Sequence, residues 1–217
     1  MRHRICTLFL AGCLAAGIVP RPTAAAAAAE VAHLSEAARA DIARVETYLN
    51  RLRTLKGRFL QVASTGSLAE GTVYLSRPGR LRFEYDPPVP ILIVANGIFL
   101  IYHDAELGQT SHLPLASSPL GVLLRDEVKL SGKVTVTDVA RTGGLLRIRL
   151  VKTGTRERGS LTLTFGDKPL RLRQWTTVDA QDVAVTITLM GVRTGLELDK
   201  DLFSFIDPEF FGEASRD

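Results

Sequence analysis

Gly71–Leu113, GTVYLSRPGRLRFEYDPPVPILIVANGIFLIYHDAELGQTSHL, strings at least five short apolar-alternating runs together with tight turns. Successive side chains on a strand point to opposite faces, so Leu81, Phe83 and Tyr85 share one face and Arg80, Arg82 and Glu84 the other. Pro78-Gly79 and Asn96-Gly97 are turn signals that separate the runs.

The pattern continues in both directions. Before it, Arg58 to Ala63 and Glu70 to Ser76 read as strands, and within it so do Arg80 to Tyr85, Pro90 to Val94, Ile98 to His103 and Gln109 to Leu113. After it come Lys133 to Ala140, Leu145 to Val151, Ser160 to Phe165, Leu170 to Val178 and Asp182 to Met190, divided by Gly143-Gly144 and Asp167-Lys168-Pro169. Leu161, Leu163 and Phe165, and Val183, Val185, Ile187 and Leu189, alternate with Thr162, Thr164, Ala184, Thr186 and Thr188. One greasy side and one water-facing side is the habit of antiparallel sheets. No internal repeat or linker divides these strands between two domains.

One long helix precedes them. Ser35 is its expected cap and Glu36 suits its positive end. Ala38, Ile42, Val45, Leu49 and Leu52 form an apolar face opposite Arg39, Asp41, Arg44, Glu46, Asn50 and Arg53, and Gly57 is the expected stop. A second, short helix is expected over Ser118 to Leu124, with Ser118 as cap and Pro119 at the first helical position.

Areas then matter. About eleven strands, about 4.8 Å apart and about 20 Å long, present an inner face on the order of 1000 Å². A helix about 28 Å long and about 10 Å wide covers about 300 Å² of it, and the short one about 100 Å². More than half the greasy face is left without helical cover. From patterning alone a partly open cavity stands beside a filled closed barrel and a two-sheet sandwich.

The first 29 residues read as a secretory signal. Met1 to Arg4 are basic, Ile5 to Val19 apolar, and Ala24 to Ala29 a small-residue tract where cleavage is expected. Leu10-Ala11-Gly12-Cys13 also matches the pattern that precedes lipidation on Cys13, which would tether the chain to a membrane. The apolar run continues past Cys13, so the two cysteines, Cys6 and Cys13, are read as small apolar residues of a discarded signal. The mature domain, residues 30–217, then has no thiol and is held by its core alone. The chain carries 27 basic and 23 acidic residues, and loss of Arg2, Arg4 and Arg21 leaves 24 against 23. That near-neutrality argues against nucleic acid as a partner.

Enzymatic motifs are missing from the sequence: it contains no G-x-S-x-G turn, H-E-x-x-H pair, phosphate-binding glycine loop or spaced His cluster. No metal or cofactor is expected. His103-Asp104 are neighbours on opposite strand faces, and Glu84 and Asp86 beside Arg80 and Arg82 read as a salt-bridged surface. Arg147, Arg149, Arg156, Arg158, Arg171 and Arg173 form a basic strip at spacing two, either a solvated face or one that meets anionic head groups or an acidic partner.

An ordered set of features resembles the LolA-type outer-membrane lipoprotein carriers. It begins with the amphipathic helix, Gly57-x-Phe59-x-Gln61, Gly71 and Arg77-Pro78. Leu81, Phe83, Tyr85, Pro88, Val94-x-x-Gly97, Tyr102-x-Asp104, Gln109 and Ser118-Pro119 follow, and Phe203-Ser204-Phe205 with Pro208 closes it. Phe83 departs from the family's usual Trp in the strand after Arg-Pro. The resemblance implies a mainly β fold with helices: an incomplete, strongly curved antiparallel β-barrel of roughly eleven strands, with an α-helical lid over a hydrophobic cavity. It implies a monomeric periplasmic carrier that takes acylated lipoproteins from an inner-membrane ATP-binding-cassette releasing complex to an outer-membrane lipoprotein acceptor. A lipid-sensing regulatory module of the same fold and a tethered acceptor are the alternatives. A regulator would be expected to carry a further domain, and a chain ending soon after Pro208 favours the carrier. Arg77, as the Arg of Arg-Pro, is implied to gate the lid; from the residues alone it is the first position of a type II turn. Leu49, Leu52, Leu81, Phe83, Tyr85, Ile93, Ile101 and Trp175 are the candidate cavity lining.

Overall fold

Strand patterning accounts for most of the molecule. The computed structural model describes residues 34–154 and 159–206. The expected signal segment with Cys6 and Cys13, and Arg156, Arg158 and Pro208, lie outside the described residues.

The expected strands all form: β1 (Thr54–Ala63), β2 (Leu68–Ser76), β3 (Arg80–Tyr85), β4 (Ile91–Asn96), β5 (Phe99–Asp104), β6 (Gln109–Pro114), β7 (Val134–Thr142), β8 (Leu145–Lys152), β9 (Ser160–Gly166), β10 (Arg171–Val178) and β11 (Ala184–Thr194). They make one antiparallel sheet in the order β6-β5-β4-β3-β2-β1-β11-β10-β9-β8-β7. Every adjacent pair is consecutive in sequence except β1 and β11, and the consecutive strands β6 and β7 lie at the two opposite edges. The sheet is rolled but not closed, which excludes the closed barrel and the two-sheet sandwich.

Register sends the apolar parity inward. Phe59 on β1 stands opposite Gly71 on β2 and Leu189 on β11. Gly71 is required there: a Cβ would lie 2.6 Å from the Phe59 ring and 2.1 Å from the Glu84 carbonyl oxygen. Phe59, Leu146, Ile148, Leu163 and Phe165 are almost completely buried in the central cluster.

Helix α1 (Glu36–Arg51) packs on that inner face through Val45 and Leu49, with Ser35 accepting a bond from the Ala38 N–H at 3.1 Å. It stops earlier than Gly57. Leu52 turns extended, its N–H satisfied by the Tyr48 and Leu49 carbonyls. Gly57 instead lies inside β1 at a bulge, where a Cβ would meet the Met190 carbonyl at 3.0 Å. The expected short helix is a single 3-10 turn, Pro119–Val122, with Ser118 accepting from the Leu120 N–H at 3.3 Å.

Much of the polar side of α1 is engaged rather than solvated. Asp41 is buried against Arg141, and Arg44 pairs with Asp167. Glu46 accepts from the Leu130 N–H at 2.6 Å, and Asn50 bonds both to the Val128 carbonyl (3.0 Å) and from its N–H (2.8 Å). These bonds hold the irregular segment 115–130 over the sheet, where Leu115, Val122, Leu123, Leu124, Val128 and Leu130 are buried. That segment supplies cover that counting helices alone misses.

On the outer face, the turn Lys200–Phe203 packs on β3 and β4, and the Leu202 carbonyl accepts from Arg82 at 3.1 Å. The expected surface pair Arg82–Glu84 forms at 2.7 Å, while Asp86 is taken by Arg58.

Candidate functional site

Beneath α1 and segment 115–130 the inner face is lined by leucines and aromatic rings. Phe59 meets Phe83 and Tyr85 edge to face, with centroids 5.0 and 5.1 Å away, and Phe83 meets Trp175 at 6.1 Å. A void of about 20 Å³ remains, lined by Leu49, Leu52, Leu81, Leu120, Leu124 and Trp175 among others, with Arg77 at its border. It is room for about one water molecule. The hollow expected from the area comparison is therefore nearly closed, because segment 115–130 adds its own leucines to the cover.

A second cavity of about 760 Å³ opens beside it, lined by Pro78, Gly79, Leu115, Pro119, Lys133 and Ser160 among others. Leu124 borders both spaces, so the 115–124 stretch forms the wall between them.

Arg77 holds that wall and the helix together. It follows β2, where Gly79 adopts the left-handed φ of 78° that the turn needs. The turn backbone is itself tied down: the Arg77 N–H donates to the Arg53 carbonyl at 2.8 Å and the Gly79 N–H to the Leu124 carbonyl at 2.7 Å. The guanidinium reaches inward and is 7% exposed. Its Nε donates to the Arg125 carbonyl at 2.8 Å, Nη2 to the Asp126 carbonyl at 2.8 Å, and Nη1 to the carbonyls of Leu52 (3.2 Å) and Leu49. Asn50 Oδ1 lies 3.4 Å from Nη2. One planar cation thus binds the last turn of α1 and the 125–126 backbone at once, a geometry the fork of five donors suits. Burial first, and then the charge of Arg53, lower its pKa from the ordinary arginine value, with Asp126 acting in the opposite sense.

The other candidate residues divide. Leu49, Leu52, Leu81 and Trp175 line the void, and Phe83 packs behind it. Tyr85 and Ile93 are half-buried at the margin of the same cluster. Ile101 is elsewhere: it pairs with Val94, and both are buried apart from the central cluster, on the face covered by the Lys200–Phe203 turn. Sequence reasoning missed Asn50, Leu120, Leu123 and Leu124; the Ser118-Pro119 cap was the available signal for the last three.

Tyr85 donates its hydroxyl to Gln61 Oε1 at 2.7 Å. Burial, with a smaller contribution from Tyr102, pushes its phenol up to about 12. The folded chain therefore holds this proton more tightly than the unfolded chain, whose phenol titrates near 10. The associated stability is complete below about pH 10 and is lost as the pH rises toward about 12, by about 2 kcal/mol. In denaturant titrations across that range, Tyr85→Phe should flatten the alkaline fall; an unchanged slope would refute the assignment.

The family model described as "Outer membrane lipoprotein carrier protein LolA" matches residues 50–206. An outer-membrane lipoprotein carrier protein of Methylococcus capsulatus is 30% identical, over 76% of this chain and 83% of its own. One of Xylella fastidiosa is 33% identical, over 71% and 76%. An uncharacterized protein of Rickettsia prowazekii is 25% identical, over 85% and 81%. A solved LolA-superfamily protein of Nitrosomonas europaea superposes at a TM-score of 0.43 with 9% identity, over 76% of this chain and 97% of that one. With its family match spanning most of the rolled sheet, its helix end and its Arg-Pro turn, this chain belongs to the LolA family of outer membrane lipoprotein carrier proteins.

Proposed function

We propose that this protein is a periplasmic carrier that shields the acyl chains of lipoproteins between an inner-membrane ATP-binding-cassette releasing complex and an outer-membrane lipoprotein acceptor. Residues 1–29 act as its export signal and 30–217 as the carrier domain, working as a monomer and without catalysis. The observation that carries the reading is the Arg77 clamp, which closes a leucine-lined interior with bonds to two separate pieces of cover.

Physical chemistry says why such an interior is closed when empty. Each buried methylene is worth about 0.8 kcal/mol, so a long acyl chain gains about 10 kcal/mol on leaving water. Opening the cover breaks the Arg77 bonds and separates packed leucines, which offsets part of that gain. The cargo then stays transferable to a stronger acceptor. On this reading acyl chains enter between α1 and the sheet, and Arg77 is the latch.

The test is whether protein purified from its host carries an acylated protein detectable by mass spectrometry, and whether it binds a hydrophobic dye at a saturable site that such cargo displaces. A folded protein that does neither is not a carrier. Mass spectrometry of the mature N-terminus also decides the export step: a start near Ala26 to Glu30 fits the carrier, and a diacylated Cys13 would make it a tethered acceptor.

A further inference from the structure

The convex side of the sheet is electrically lopsided. On the β1–β3 part, Arg58 is paired with Asp86 and Glu70 and Arg82 with Glu84, and of the three arginines there Arg80 alone has no ion pair among the described residues. Among the described residues, the arginines of the β8–β10 part have no ion pair. Those strands carry Arg147, Arg149, Arg171 and Arg173 and no acidic residue.

Register gathers the four arginines on one face. Leu146, Ile148 and Leu150 point into the core, so Arg147 and Arg149 point outward, beside Thr164 and Thr162 of β9. Those threonines lie beside Gln174 and Thr176 of β10. Arg173 lies over Gly166, with its Nε 3.3 Å from where a Cβ would stand, and Arg171 pairs with the same glycine. All four arginines are exposed, and among the described residues none of them forms an ion pair. Asp138 stands opposite Arg149 without bridging to it, and Asp167 at the β9–β10 turn is committed to Arg44 and Arg141.

We propose that this face docks on the anionic head groups of a lipid bilayer. Two features favour a bilayer over an acidic protein. The side chains between the arginines are hydroxyls and an amide, Thr162, Thr164, Gln174 and Thr176, with no aromatic or large aliphatic anchor, whereas protein interfaces draw their affinity from such anchors. A convex plate also meets a rigid partner over little area, while a fluid layer of phosphates conforms to it, and unpaired arginines near such a layer add attraction in proportion to their number. Docking by this face leaves α1 and the Arg77 cover free. The inference stands apart from lipoprotein carriage, and either can fail alone.

The experiment is flotation of the protein as purified from cells with vesicles of phosphatidylethanolamine and phosphatidylglycerol, or of phosphatidylcholine alone, at low and high salt. Wild type is compared with R147Q/R149Q and with R39Q/R51Q, which removes the same charge from exposed positions on α1. Every arm carries the same processed N-terminus, and thermal melts check that the variants fold. Each arginine lost from the plate should lower partition onto the anionic vesicles about fivefold, so R147Q/R149Q falls about 25-fold and R39Q/R51Q no more than about twofold. High salt should remove the difference, and phosphatidylcholine should show none. Equal losses in the two variants, or R147Q/R149Q within about twofold of wild type, would overturn the proposal. Retention on polyglutamate without anionic-vesicle binding would overturn it too, in favour of an acidic protein.

Discussion

Arg77→Leu should raise amide hydrogen exchange at the end of α1 and at residues 123–128 about 30-fold, while leaving the β7–β10 core protected. The guanidinium binds the Leu49, Leu52, Arg125 and Asp126 carbonyls, and charge-assisted bonds of this type are worth about 1.5–3 kcal/mol each. Leucine at the border of a leucine-lined void recovers about 1.5–3 kcal/mol by burial, and the cost of desolvating a cation disappears. The remaining local loss is about 2 kcal/mol, and exchange through local opening scales with that difference. The functional consequence follows from the same sign: a cover that closes less firmly opposes cargo less. Arg77→Leu should therefore take up a hydrophobic dye more readily and give up bound lipoprotein to an acceptor more slowly. Unchanged exchange at the end of α1 would reduce Arg77 to a turn residue, and unchanged transfer with faster exchange would leave it a clamp without a role in release. Lysine should not rescue, because one ammonium cannot reach carbonyls on two chain segments as the planar fork does.

Gly71→Ala carries the largest expected effect on the fold. A methyl at this position would sit 2.1 Å from the Glu84 carbonyl oxygen and within 2.8 Å of two Phe59 ring carbons. Side chains can move aside, but the carbonyl belongs to β3, whose register with β2 places Tyr85 opposite Gly71. Relief requires shifting a strand that carries Leu81 and Phe83 into the core, which costs at least about 3 kcal/mol and lowers the melting temperature by on the order of 10 °C. Gly57→Ala, whose nearest contact is 3.0 Å, should cost less. Phe59→Leu in the Gly71→Ala background should not restore stability, because the Glu84 carbonyl remains in place. A Gly71→Ala protein that melts with wild type would show that β3 yields easily, against the register described.

Most of the sheet was readable in advance because its evidence is local. Leu161, Leu163 and Phe165, or Leu146, Ile148 and Leu150, alternate with polar residues, and tetrahedral geometry at each Cα sends alternate side chains to opposite faces whatever else the chain does. The Ser35 cap and the Val45 and Leu49 stripe are local in the same sense. Ile101 was misread where this logic has nothing to work on. Ile91 to Ala95 is apolar without interruption, and β5 pairs with it residue by residue, so period two cannot separate an inner from an outer face.

Chain-local chemistry thus specified the strands, the helix start, the turn at Arg77 and the greasy parity, because each depends on residues a few positions apart. Tertiary structure alone decided that Ile101 is buried outside the central cluster, that Glu46 and Asn50 hold segment 115–130 instead of facing water, and that Arg77 turns inward to close a space hardly larger than a water molecule. The last two outcomes depend on backbone carbonyls and amides 25 to 84 positions distant. A polar side chain has the same composition whether it meets solvent or such a partner, and only the folded arrangement determines which.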